Sequence, residues 1–363
     1  MSEKPTLKEQ LETYRHAVDA DILTYAAHVR KTTHEQYGEY PAVVTDTFLD
    51  MLERGGKRMR GALVMVGYEM CGGTDREMIT RAATAIEMIH AHLLILDDVQ
   101  DRSALRRGKP TVHESLKTYH QQNGWKGDAV HTGYSLALNA ALAGGYAAQM
   151  LVAGLNVDAE LRSKAMGIMA HAILTTAHGQ TLDFVQELTG EASSKSIEQT
   201  MEWKTAYYSI LNPLCVGMVL AGAGCEDTDA VRDYALHTGK AFQITDDIIG
   251  VFGTSAQTGK SIMDDMREGK QTLLTLYALK HATAEDKQFL KRCLGDSNLS
   301  SADFTVCCRI MQDSGALQFA EEEAERHIAA ALQSLEASRR PGWNANNLTF
   351  LRELAGSLRR RTS

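Results

Sequence analysis

The chain has 363 residues, of which 44% are apolar and only 5 are proline. That is enough to bury a large core, and the shortage of proline beside plentiful Ala, Leu, Met, Glu and Lys favours long helices over sheets. A net charge of −8 excludes a general attraction to nucleic acid, so any basic site must be local. The 6 cysteines form no CxxC pair, which argues against zinc and for a reduced, cytoplasmic setting.

The first residues, MSEKPTLKEQ, are polar and lack the apolar run of a secretory signal. Residues 7–31 predict an amphipathic helix, with Leu7, Leu11, Tyr14, Val18, Ile22 and Tyr25 on one stripe. Helical periodicity then continues nearly throughout, broken at Gly55-Gly56, Cys71-Gly72-Gly73, Arg107-Gly108-Lys109-Pro110, Asn123-Gly124, 190–194, 222–227, 253–259 and Pro341-Gly342. No linker composition divides the chain. Residues 1–363 are therefore expected to form a single all-α domain, with a motif-free segment 1–50 and a basic tail 355–363.

Residues 129–157 and 205–225 carry no Asp, Glu, Lys or Arg, and each could cross a bilayer by length. Their Gly, Ala, Ser and Tyr content, with Asn139, Gln149, Asn212 and Pro213 interspersed, reads instead as helices at the centre of a bundle. No transmembrane segment is expected.

Two apolar runs end in paired aspartates, LLILDDVQD at 93–101 and FQITDDIIG at 242–250. On a helix, Glu87, His90, Leu94, Asp97, Asp98 and Asp101 fall within an arc of roughly 100°. Three carboxylates on one face repel one another unless cations sit between them, and hard divalent ions are the usual solution. A solvated acidic helix end is the alternative. Gln243, Asp246 and Asp247 repeat the pattern, and facing helices that offer carboxylates inward are a known way to hold metals.

Basic residues narrow the chemistry. Gly55-Gly56-Lys57-Arg58-Met59-Arg60 is a glycine turn with cations at a helix start, where backbone amides, Lys57 and Arg60 could hold a diphosphate. Arg106-Arg107-Gly108 follows the first aspartates, and Lys260 and Lys270 follow the second pair. Any one cluster could be a surface patch; interleaved with two aspartate pairs they suit a metal–diphosphate substrate. No P-loop or kinase catalytic loop occurs, so phosphoryl transfer is not indicated.

The strings GGKRMR (55–60), EMIHAHLLILDDVQDRSALRRGKPTVH (87–113), WKTAYYS (203–209), FQITDDIIGVFG (242–253) and GKSIMDDMREGKQTLL (259–274) resemble, in order, the motifs of the trans-prenyl diphosphate synthases. The resemblance implies a helical bundle of the isoprenoid synthase type, with a central cavity between two Asp-bearing helices. It implies that Asp97, Asp101 and Asp246, helped by Asp98, bind a cluster of about three Mg2+ ions with the diphosphate, and that Asp247 lies beside them. Lys57, Arg60, His90 and Arg107 would bind isopentenyl diphosphate. Arg106, Lys204, Lys260 and Lys270 would face an allylic partner (dimethylallyl, geranyl or farnesyl diphosphate), with Thr205 and Gln243 near the carbon that becomes cationic. The Arg359-Arg360-Arg361 tail is similar to one that closes over the site in some members. A homodimer is also implied. Many members have Gly-Asp where this chain has Gly133-Tyr134.

The implied reaction ionises the allylic diphosphate, and the double bond of isopentenyl diphosphate then attacks the cation. The growing tail would run toward the N-terminal end of the Asp97 helix, past Leu93 at one turn and Ile89 at two, with His92 pointing further round. Short-chain relatives often carry aromatic rings at the positions of His92 and Leu93; neither is Phe or Tyr here. A twenty-carbon product, geranylgeranyl diphosphate, is therefore expected, with farnesyl or longer products as alternatives. A terpene cyclase would leave GGKRMR and RRG without a role. A non-catalytic subunit of a heteromeric synthase would be expected to have lost some ligands.

Overall fold

Thr6 opens the first helix by a reciprocal cap: its side chain accepts from the Glu9 amide, and the Glu9 carboxylate accepts from the Thr6 amide. The helix, α1 (Leu7–Tyr37), buries Tyr14, Val18, Ile22 and Ala26 at four-residue spacing and runs past the expected end at residue 31 to Gly38. The computed structural model describes residues 6–254 and 261–360. Next come α2 (Glu39–Glu53), α3 (Met59–Met70) and α4 (Arg76–Gln100). A short antiparallel hairpin pairs Leu105–Arg106 with Lys109–Pro110, and α5 (Val112–Gln122), α6 (Ala129–Ala153) and α7 (Ala159–Thr189) follow. The remainder is also helical: α8 (Ser194–Thr200), a π-helical run Met201–Leu211, α9 (Asn212–Leu220), α10 (Cys225–Ala230), α11 (Arg232–Phe252) and six further α-helices. Among the described residues the hairpin supplies the only strands.

Contacts divide the chain into two compact units. The first comprises residues up to Ile173, with Pro213–Gly224 and Gly342–Asn347; the second comprises Leu174–Asn212, Cys225–Pro341 and Leu348 onward. In the first, α3 crosses α9 backbone to backbone. A Cβ on Gly67 would lie 2.3 Å from the Leu214 carbonyl oxygen, and one on Gly217 would lie 1.9 Å from that of Val64. Helices α4 and α6 are long and apolar enough to cross a membrane by composition alone. The first is mostly buried; α6 buries its Gly and Ala face and exposes Leu138, Leu142, Tyr146 and Met150, four residues apart. The uncharged stretch 205–225 is not one helix. It passes from the π-helical run into α9, which stops before Gly222 at φ 89.

The second unit packs Ile197, Met201, Ile244, Ile248, Val251 and Leu274 into one core. Tyr234, fully buried, donates its hydroxyl to the Leu351 carbonyl at 2.7 Å. Nδ1 of His237 and Nδ1 of His327 lie 2.8 Å apart, so at least one ring must be neutral. Burial foremost, then Arg326, His237 and Lys240, hold His327 down at about 4 from an ordinary 6.5. Unfolded, this imidazole takes up a proton between those values that the native ring refuses, so its contribution to stability is complete above pH 6.5 and lost as pH falls toward 4. The urea midpoint should therefore drop on going from pH 7 to pH 5, and drop less in His327→Gln. Equal drops in urea titrations of the two proteins would contradict this.

Candidate functional site

In the first unit, α4 ends in the first aspartate set. Asp98 turns inward, 1% exposed, and accepts from Arg106 Nε at 2.8 Å, while Arg106 Nη2 also reaches Asp97 at 3.4 Å. Burial pushes the Asp98 acid up to about 6, and Arg106 opposes that rise. Asp97 and Asp101 stay half-exposed. The three carboxylates thus divide: Asp98 anchors an arginine, and the other two are accessible.

The hairpin turn is made by Arg107 and Gly108, both at positive φ (54 and 73), as the primed two-residue turns require. It lays the Arg107 guanidinium on the glycine turn ahead of α3. Arg107 Nη1 donates to the Gly55 carbonyl, and a Cβ on Gly56 would meet Nη2 at 3.0 Å. Gly55 and Gly56, at φ 80 and 138, are conformations open to glycine, whereas Arg58 at φ 47 adopts one that costs a side-chain-bearing residue roughly 1–2 kcal/mol. Arg60 Nη1 lies 3.3 Å from His90 Nε2. Burial first, then Arg60, Arg107, Arg106 and Arg58, drive the His90 pKa well down, so the ring is neutral and accepts from Arg60. Lys57 is exposed at the same turn. Two motifs more than forty residues apart thus meet as one cationic cluster.

Deeper in α4, Ile89 is buried and Leu93 half-buried. His92 donates from Nδ1 to the Ala141 carbonyl of α6 at 2.6 Å, and a Cβ on Gly145 would lie 3.1 Å from that nitrogen. Tyr134, where family members often carry Asp, tilts its ring against His113 at 5.1 Å.

In the second unit, a cleft is lined by Asp183, Lys204, Thr205, Gln243, Asp247 and Lys270, with Ile197 and Met201 as apolar wall. Thr205 donates to Gln243 Oε1 at 2.6 Å, and Gln243 Nε2 donates to Asp247 at 2.7 Å. Desolvation pushes Asp247 up to about 8, eased by Gln243 and reinforced by Asp265, Asp246 and Asp183. Asp246, beside it, is half-exposed. Lys204 and Thr205 project from the π-helical run, a geometry frequent at functional sites. Lys204 pairs with Asp183 at 2.6 Å and Lys270 with Glu268 at 3.0 Å.

Asp183 was not among the residues singled out from the sequence. A Cβ on Gly179 would lie 2.4 Å from the Lys204 amide nitrogen, so α7 meets the π-helical run at backbone contact and Asp183 follows one turn later. A glycine inside a helix, one turn before a carboxylate, was the available signal. Lys260 lies outside the described residues. Of the terminal arginines, Arg359 pairs with Glu325, whereas the Arg360 side chain and all of Arg361 lie outside what the structure describes.

Residues 41–311 match the polyprenyl synthetase family model. Geranylgeranyl diphosphate synthase of Saccharolobus solfataricus is 31% identical over 281 residues, covering 77% of this chain and 80% of the relative. Geranylfarnesyl diphosphate synthase of Aeropyrum pernix is 31% identical over 320 residues, 86% and 92% of the two chains. A crystal structure of geranylgeranyl pyrophosphate synthase from Corynebacterium glutamicum, complexed with isoprenyl diphosphate and magnesium, aligns with TM-score 0.90 at 28% identity over 98% of this chain and 100% of that one. The chain belongs to the polyprenyl synthetase family and shares the helical fold of the isoprenoid synthases. It is a prenyltransferase.

Proposed function

We propose that the chain, acting as one catalytic domain, condenses isopentenyl diphosphate with an allylic diphosphate and makes chiefly geranylgeranyl diphosphate. The cluster where Arg60, Arg107 and neutral His90 converge carries this reading, because an enzyme with a single diphosphate substrate has no use for a second anion receptor.

Lys57, Arg60, His90 and Arg107 hold isopentenyl diphosphate. Lys204 and Lys270 neutralise the allylic diphosphate. Asp97 and Asp101 of the first unit, and Asp246 of the second, each carry the oxygen chemistry that suits a hard divalent cation. Magnesium bound there would stabilise charge on the leaving diphosphate. Gln243, held by Thr205 and Asp247, presents a fixed amide dipole to the developing allylic cation. Ile197 and Met201 keep water from quenching it. The departing diphosphate takes the proton; among the described residues no His or Glu lines this cleft.

The tail lies along Leu93 and Ile89. Leu93→Phe should shift the product toward farnesyl diphosphate, whereas Leu93→Ala or Ile89→Ala should lengthen it. Chromatography of dephosphorylated products reads the result. The wild type should yield the twenty-carbon alcohol; a twenty-five-carbon alcohol, the second reading favoured by the Aeropyrum pernix relative, would reassign the product. An unchanged distribution in active Leu93→Phe would place the tail elsewhere.

The exposed stripe of Leu138, Leu142, Tyr146 and Met150 supports a homodimer, since a monomer rarely leaves so regular an apolar face in water. Sedimentation should give a dimer for the wild type and a monomer for Leu142→Glu/Tyr146→Glu. A monomeric wild type would contradict this.

A further inference from the structure

Arg58 stands between Lys57 and Arg60 in sequence, yet it is 4% exposed and cannot reach a ligand. Each edge of its guanidinium is engaged. Nε donates to Asp19 Oδ1 of α1 at 2.8 Å, Nη2 to the Leu52 carbonyl of α2 at 2.7 Å, and Nη1 to Glu87 Oε2 of α4 at 3.5 Å. The other oxygen of Asp19 is held by Arg15 at 3.1 Å. The other oxygen of Glu87 accepts the Gly61 amide at 2.8 Å. That amide lies in the first turn of α3, where Arg58, as the capping residue, offers no side-chain bond of its own. Glu87 is thus a cap supplied from another helix. His90 lies one turn further along α4.

We propose that Arg58 is a positioning residue. Locked by Asp19 and Glu87, it fixes the left-handed turn that presents Lys57 and Arg60, and so sets the affinity for isopentenyl diphosphate. The N-terminal helix, which carries no motif, then acts on substrate binding through Asp19. The inference rests on reading Lys57 and Arg60 as ligands of that substrate. Asp19 touches no ligand; its effect passes entirely through the guanidinium.

The test is steady-state kinetics with each substrate varied, on the full chain with Mg2+. Arg58→Lys keeps the charge but cannot span three partners. Asp19→Asn removes one partner at a partly exposed position and keeps the test available if Arg58→Lys fails to fold. Both should raise the KM for isopentenyl diphosphate about 5- to 30-fold, with kcat and the allylic KM within about twofold of wild type. The double variant should fall short of the product of the two single effects, because the Arg58–Asp19 contact is shared by both changes. Lys57→Ala is the control. If it raises the KM for isopentenyl diphosphate while Asp19→Asn and Arg58→Lys do not, the positioning role is overturned and the ligand assignment stands. If Lys57→Ala also has no effect, both fall. Equal rises in both KM values, or a lower Tm alone, would make Arg58 purely structural and overturn the proposal.

Discussion

Asp97→Ala and Asp246→Ala should each lower turnover by at least ~10³-fold, about 4 kcal/mol of transition-state stabilisation, without unfolding the protein. Stability should hold because these carboxylates contribute little to packing: both are half-exposed. Asp97 also lies at the C-terminal end of α4, where a negative charge opposes the helix dipole, so its removal should leave the melting temperature unchanged or slightly raised. Asp98→Ala should behave differently. It leaves the Arg106 guanidinium without its closest acceptor in a buried setting, and loss of stability should accompany loss of activity. Activity and thermal melts of the three variants, with and without EDTA, check this. Full activity in chelator would end the role of the metal.

Lys57→Ala should raise the KM for isopentenyl diphosphate roughly 10- to 100-fold, the worth of one lost charge-assisted contact, and leave the allylic KM nearly unchanged. Lys57 is exposed, so the change should not cost folding. Lys204→Ala should do the reverse, with an added effect from stranding Asp183, its partner at 2.6 Å. Full kinetic matrices on both variants decide the matter; equal effects on both substrates would refute the division of the cations.

What could be read from the sequence was what helical periodicity and charge type encode. The stripe Tyr14, Val18, Ile22 is buried, and Glu87, His90, Asp97 and Asp98 belong to one helix. What escaped depends on partners brought from afar. Nothing local says that Asp98 would be spent on Arg106, since the hairpin turn that returns Arg106 to α4 sets that pairing. Asp19 looks like one more surface carboxylate on a polar helix face until Arg58 is found against it. The π-helical run at Met201–Leu211 bonds i to i+5 rather than i to i+4, and no residue type within it announces that change. Asp183 was hidden for a related reason: its place beside Lys204 follows from the backbone contact at Gly179.

The central claim is head-to-tail condensation by this chain. Radiolabelled isopentenyl diphosphate incubated with the protein, Mg2+ and farnesyl diphosphate should pass into a solvent-extractable prenyl diphosphate, and incorporation should vanish in EDTA and return with added Mg2+. Folded protein that incorporates no label with dimethylallyl, geranyl or farnesyl diphosphate would contradict it.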